Sequence, residues 1–259
     1  MRLYGRPPYG VAVVHGGPGA AGELAPVARE LARARGVFEP LQSVPSVEGQ
    51  IEELKVQLEA LGAGPFILIG HSWGAWLACL LAAGRPALVK KLILVASGAF
   101  EQRHAEGLLE RRLARLSGGE QDEARALAER ARGAAPFSSE QLARFGELLF
   151  KADSYDPIPS GGDPVRCDAR IFRTVWPEAV RLRETGELLR RVANLRCPVV
   201  ALHGDHDPTP AQGVREPLSR VLKDFRMIVV ERCGHSPWRE RQARRSFFEA
   251  LETELTPVS

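Results

Sequence analysis

Apolar residues along this chain are grouped in two alternating ways. Short blocks at 11–14, 65–70, 92–96, 199–202 and 227–230 are unbroken, rich in Val, Ile and Leu and of strand length. A further short strand is expected at 37–41, where Glu39 and Pro40 interrupt the apolar residues. Blocks without a polar face read as strands buried on both sides. Between them, apolar positions recur every three or four residues. Leu24, Val27, Ala28 and Leu31 share one face of a helix expected over 23–34. Val47, Ile51, Leu54, Leu58 and Leu61 share a face of a second helix, with Ser46 as its cap and Gly62 at its end. A third helix, at 73–83, is apolar all round and closed by Gly84 and Pro86. Further helices are expected at 210–223 and 238–255. Strand and helix in alternation predict an α/β fold, a doubly wound, mostly parallel sheet.

The alternation is interrupted over 100–190, which reads as several helices with a break at 156–164. Both flanks belong to one sheet, so the expected division is a core of residues 1–99 and 191–259 carrying an inserted helical cap at 100–190. A length of 259 residues with 44% hydrophobic content is ample for such a domain.

Charge excludes more than it suggests. Thirty-five basic and 32 acidic residues leave a net charge of +3. From Glu101 to Ala134, seven arginines are interleaved with seven acids, the pattern of solvated helix faces rather than of a nucleic-acid footprint. The arginines at 239, 241, 244 and 245 are diluted by Glu240 and Glu249 and read the same way. Residues 1–8 contain no apolar signal region, and no apolar run is long enough to span a bilayer. Cys79, Cys167, Cys197 and Cys233 are scattered without a Cys-x-x-Cys pair, which fits reduced thiols and a cytoplasmic location.

The chemistry concentrates at strand ends. Gly70-His71-Ser72-Trp73-Gly74 joins the strand at 65–70 to the helix at 73–83. A serine between glycines at such a junction forms a strained elbow that lifts its hydroxyl above the sheet, at a helix N-terminus that favours developing negative charge. Serine is a weak nucleophile and needs a base held by an orienting group. The loops after the last two strands offer both, with His203, Asp205, His206 and Asp207 in one and His235 in the other. After the first strand comes His15-Gly16-Gly17-Pro18-Gly19. The amide of Trp73, next after the serine, is one expected oxyanion donor.

Taken together, these motifs resemble the α/β-hydrolase superfamily. Its Gly-x-x-Asp acid motif falls on Gly204-Asp205-His206-Asp207 and its Gly-His on Gly234-His235. The resemblance therefore implies Ser72 as nucleophile, Asp207 as acid, with Asp205 as rival, and His235 as base. It also implies Gly17 as the second oxyanion donor. His-Gly-Gly-Pro-Gly, with Trp after the serine, is similar to the prolyl iminopeptidases, although the Asp-Gln-Arg-Gly segment of that group is replaced here by Phe38-Glu39-Pro40-Leu41-Gln42-Ser43. The expected activity is a serine hydrolase of small uncharged esters or amides, with no cofactor, metal, nucleic-acid or membrane partner. An iminopeptidase-like enzyme, with Glu178 or Glu184 holding a substrate amine, is the alternative. A catalytically dead ligand receptor is the alternative from another class. His15, His71 and His203 are expected in supporting roles and His104 at the surface. Phe137, Phe145, Phe150, Tyr155, Phe172 and Trp176 are candidate cap residues, chiefly for packing.

Two competing motifs fit less well. Gly17-Pro18-Gly19-Ala20-Ala21-Gly22, followed by Glu39, satisfies a dinucleotide fingerprint, but Pro18 removes a backbone donor where a pyrophosphate would sit. His203, Asp205, His206 and Asp207 are too close in sequence to converge readily on one metal ion.

Overall fold

The computed structural model describes residues 1–62, 64–159 and 165–256. Strands β1 (Arg2–Tyr4), β2 (Tyr9–Val14) and β3 (Ala20–Ala21) are followed by helix α1 (Ala25–Leu31), β4 (Gly36–Glu39) and α2 (Val47–Glu59). Next come β5 (Phe66–His71), α3 (Trp73–Gly84) and β6 (Val89–Val95). A helical stretch follows, with α4 (Gln102–Ala105), α5 (Leu108–Leu113), α6 (Gly118–Arg132) and α7 (Ser139–Asp153). It continues through β7 (Arg166–Cys167), α8 (Ala169–Glu184) and α9 (Glu187–Val192). The chain then returns through β8 (Val199–Gly204), α10 (Gln212–Val221), β9 (Phe225–Val230) and α11 (Arg244–Leu255).

Seven strands form one sheet in the order β1-β4-β2-β5-β6-β8-β9, parallel except for β1, which runs antiparallel to β4. The doubly wound expectation holds, with an antiparallel edge that three residues with one apolar position, Leu3, did not announce. One face of the sheet is covered by α2, α3 and α8 to α10, whose core includes Leu54, Leu58, Trp76, Leu77, Val175, Leu188 and Leu218. The other is covered by α1 and α11 through Leu24, Leu31, Phe247 and Leu251. Helices α5 to α7 enclose a third core around Leu113, Leu127, Phe145 and Leu148. A small antiparallel ribbon, Ala20 opposite Cys167 and Ala21 opposite Arg166, ties this helical stretch to the loop after β2. Of the expected break at 156–164, residues 160–164 lie outside the described residues.

Element ends differ from the hydropathy reading for identifiable reasons. Ser46 caps α2 as expected, accepting from Gly49 N at 3.1 Å. Strand β6 starts at Val89 rather than at 92, because Lys91 sits inside it and sends its ammonium to the carboxylate and carbonyl of Glu254. The single helix expected over 238–255 is a 3₁₀ turn at Pro237–Arg239 and then α11. Between them Glu240 is extended, bridges to Pro157 and turns its carboxylate inward. No helix among the described residues is long and apolar enough to cross a membrane.

Helix α3 crosses the sheet so closely that position 74 has no room for a side chain. A Cβ there would stand 2.3 Å from the carbonyl oxygen of Val14 and 2.4 Å from that of His15. Gly74→Ala is therefore expected to destabilise the fold by about 2 kcal/mol or more, since backbone on both sides resists displacement. Gly84→Ala, whose Cβ would meet nothing within 4 Å, leaves stability unchanged or raises it. Urea unfolding of the two variants checks the contrast.

Candidate active site

Strand β5 ends at His71 and α3 begins at Trp73, leaving Ser72 alone at the junction with φ 51° and ψ −114°. Positive φ is strained for serine. The turn is fixed at both ends: Ser72 N donates to Val95 O at 3.0 Å, and Ala75 N to Ser72 O at 3.2 Å. Trp73 is buried, its indole donating to Gln50 Oε1 at 3.1 Å, and Gln50 in turn donates to Val44 O. The first amides of α3 have no acceptor within the helix.

The loop after β8 carries Asp207, which is buried. Its Oδ2 accepts from His235 Nδ1 at 2.7 Å and its Oδ1 from Thr209 N at 2.8 Å. Asp205, the rival, instead accepts from Cys233 N at 3.1 Å and steadies the loop that carries His235. Burial pushes the Asp207 carboxyl up, but the charges of His235 and His203 and its hydrogen bonds outweigh this and hold it at about 2. Burial pulls His235 down, and the charge and hydrogen bond of Asp207 more than reverse it, so the imidazole is raised. The ring of His235 lies 4.9 Å, centre to centre, from that of His71, the neighbour of Ser72. His235 makes no hydrogen bond to the Ser72 hydroxyl, whereas its bond to Asp207 is formed; contacts between a nucleophile and its base commonly tighten only with substrate present.

The oxyanion-loop candidate is held from two sides. His15 Nδ1 donates to Gly16 O at 2.8 Å, its Nε2 accepts from Gln42 N at 3.4 Å, and burial lowers its pKa. Gly17 has φ 30° and its carbonyl accepts from Ala20 N at 2.8 Å. His203 stands with Nε2 2.8 Å from Thr209 O, and His71 with Nε2 2.9 Å from His235 O. His104 is less exposed than expected, with Nε2 3.4 Å from Glu216.

Several contributors escaped the sequence reading. Glu23 accepts from Gly16 N at 3.0 Å and contacts His71 Nδ1 at 3.1 Å. Asp153, at the end of α7, accepts from His235 N through its carbonyl at 2.9 Å and holds Arg112 of α5 at 2.8 and 2.6 Å. Glu240 accepts from the amides of Gly234, Tyr155 and Asp156. Only Arg112 and Asp153 belong to helices with a clear period, and nothing local marks any of the four.

The aromatic candidates divide. Phe137 and Phe145 are inside the α5–α7 core with Phe172 against it, and Trp176 stacks on Trp76 at 6.1 Å. Phe150 lies under the Arg239 guanidinium, and Tyr155 contacts His206 edge-on. A cavity of about 720 Å³, lined by Phe100, Gln102, Arg183 and Arg220 among others, contains none of the Ser72, Asp207 or His235 side chains. No group of three or more His, Cys, Asp or Glu among the described residues is arranged to hold a metal ion. Glu39, the acid of the dinucleotide fingerprint, is buried and bonded to Tyr4 Oη at 2.9 Å.

The Asp207–His235 pair predicts a pH signature. Asp207 is depressed from 3.8 to about 2, so its contribution is present above pH 3.8 and lost as pH falls through 2. His235 is raised above 6.5, so its share is full below 6.5 and lost as pH rises through the folded value. The stability gap between the parent and Asp207→Asn is expected to be widest between those limits, about 2 kcal/mol, and to close towards pH 2. Urea unfolding as a function of pH measures it.

Among curated proteins, none matches this sequence. Solved structures do. VinJ superposes with a TM-score of 0.68 at 20% identity, covering 98% of this chain and 93% of that one. A monoacylglycerol lipase from Paleococcus ferrophilus gives 0.63 at 19%, covering 98% and 96%. A thermophilic esterase from Thermogutta terrifontis gives 0.63 at 20%, covering 98% and 93%. At these identities the likeness is one of fold. The model of the alpha/beta hydrolase family matches residues 11–246, from β2 into α11, and the chain belongs to that family.

Proposed function

We propose that this chain is a serine hydrolase of small uncharged esters or amides, with Ser72 as nucleophile, His235 as general base and Asp207 as its orienting acid. The observation that carries the reading is the 2.7 Å bond from His235 Nδ1 to a buried, ionised Asp207, on the same sheet edge as a strained serine. That bond fixes the tautomer and leaves Nε2 free to accept a proton.

In this mechanism Ser72 Oγ attacks the substrate carbonyl carbon and its proton passes to His235. The amides of Gly17 and Trp73 hold the resulting oxyanion, each contributing about 3 kcal/mol or so when aimed at the developing charge. Collapse breaks the bond to the alcohol or amine, which leaves with the proton from His235. Water, deprotonated by His235, then attacks the acyl-Ser72 ester, releasing the acid and restoring the serine. Residues 100–190 serve as an inserted cap, in which α5 and α7 lie against the loops of Asp207 and His235 while α8 and α9 return to the sheet face, with 1–99 and 191–259 as the catalytic core. The free cysteines fit a reducing cytoplasm.

Esters are favoured over aminoacyl peptides by one contact. Glu178, a candidate for binding a substrate amine, has its carboxylate on Val47 N at 2.8 Å, at the start of α2. Glu184 lines the separate 720 Å³ cavity.

A fluorophosphonate probe is expected to label the parent and not Ser72→Ala; a receptor with a dead site would stay unlabelled in both. On p-nitrophenyl esters of graded chain length, Ser72→Ala and Asp207→Asn are expected to lose about a thousandfold or more in kcat. Asp205→Asn should stay within the parent's order of magnitude. Parent-level turnover by Ser72→Ala refutes the assignment.

A further inference from the structure

We infer that Glu23 and His71 form an ion-paired clamp across three segments of the site, which makes Glu23 a positioning residue for hydrolysis. The inference rests on the serine-hydrolase reading for its consequence and on hydrogen-bond chemistry for its existence. His71 Nε2 stands 2.9 Å from the carbonyl oxygen of His235. A carbonyl only accepts, so Nε2 carries a hydrogen. His71 Nδ1 stands 3.1 Å from Glu23 Oε2, an oxygen that also accepts from Gly16 N at 3.0 Å. An ionised carboxylate has only acceptor oxygens, and two lone pairs facing each other at this distance would repel, so Nδ1 carries a hydrogen as well. A neutral imidazole has only one N–H. His71 is therefore an imidazolium paired with an ionised Glu23. Burial pushes the Glu23 carboxyl up, yet the charge and hydrogen bond of His71 prevail and hold it at about 2.

The packing leaves no slack around this pair. The His71 ring is wedged between Trp238, edge-on at 4.7 Å, and His235 at 4.9 Å. A Cβ on Gly16 would be 2.5 Å from His71 Nδ1 and 2.8 Å from Glu23 Oε2, so only glycine lets the backbone reach the carboxylate. The segments joined in this way are the loop after β2, the last residue of β5 and the loop after β9, and β9 is not a ladder neighbour of β2 or β5. One chain of bonds joins all three: Gly16 N–H to Glu23, His71 to Glu23, and His71 to the His235 carbonyl.

The clamp also sets charge. His235 is faced by Asp207, Asp153, Arg112, His71 and Glu23. Ionised Glu23 cancels the His71 charge, so His235 can take the serine proton without facing an uncompensated cation. Glu23→Gln keeps the shape and removes the charge. The variant then has either a lone imidazolium beside His235, or a neutral His71 without its Nδ1 proton.

Two measurements test this. In the parent, ¹⁵N-histidine NMR near neutral pH should show hydrogens on both ring nitrogens of His71, and Glu23→Gln should show an altered pattern. Kinetically, Glu23→Gln should lose about tenfold to a hundredfold in kcat, as expected for small misplacement of reacting groups, with KM within about threefold. Glu23→Asp should recover part of the loss. A single ring hydrogen on His71 in the parent overturns the clamp, and so does parent-level kcat in a folded Glu23→Gln. If Glu23→Gln does not fold, the parent spectrum alone decides. If the parent neither turns over esters nor reacts with fluorophosphonate, the hydrolase reading fails, and the spectrum still decides the ion pair.

Discussion

Everything at the edge that carries Ser72, Asp207 and His235 depends on how closely α3 approaches β2 and β5. A serine held at φ 51° stores about 1–3 kcal/mol of backbone strain, which a flexible loop would release. Here it cannot. Every residue from Trp73 to Ala82 is buried, so rotating the helix away would expose a large apolar surface. Position 74 presses against the carbonyls of Val14 and His15, and Ser72 N is tied to β6. The strain is thus sustained by the burial of the helix that follows. The same contact fixes the start of α3 beside the loop after β2, bringing the two candidate oxyanion donors towards one another.

This dependence explains which features were legible in the sequence. Parallel strands buried on both faces carry unbroken apolar runs, so β2, β5 and β8 were readable; β9 was readable too, although as the edge strand it is mostly part-exposed, and the alternation of these strands with helices gave the sheet. The two-residue strands β3 and β7 are too short for any period to show. Lys90 and Lys91 disguised the start of β6, and the inward turn of Glu240 divided the last helix. The candidates Ser72, His235 and Asp207 stood out in the sequence because each lies near a strand end beside small residues. The choice between Asp205 and Asp207 was not a matter of composition. Both are carboxylates on one loop, and only the fold sends one to His235 Nδ1 and the other to Cys233 N.

What the sequence concealed has a common physical origin. Loops at the end of a parallel sheet leave amides without ladder partners, and a buried unpaired N–H costs as much as a lost hydrogen bond. In this chain carboxylates meet that need repeatedly. Glu23 takes Gly16 N, Asp207 takes Thr209 N, Asp205 takes Cys233 N, and Glu240 takes three amides at once. Glu53 and Glu178 do the same at the loop before α2 and at its first residue. Charge-assisted bonds of this kind are stronger than neutral ones and fix position as well as energy. Four of these nine bonds join residues 28 or more apart in sequence, beyond the reach of any local window.

Arginines apply the same logic to carbonyls, and their placement fastens one side of the helical stretch. Three residues of α5 and its exit point at the acid loop or its neighbour: Arg111 donates to Pro208 O, Arg115 to His206 O and Ala152 O, and Arg112 grips Asp153. Asp153 in turn receives His235 N on its carbonyl. Helix α5, the end of α7 and the loops carrying Asp207 and His235 are therefore joined by one continuous set of bonds. The β3–β7 ribbon fastens the stretch again at the loop after β2. Lifting α5 would break charge-assisted bonds to the acid and base loops together, so a motion that preserves the Asp207–His235 pair must leave α5 in place.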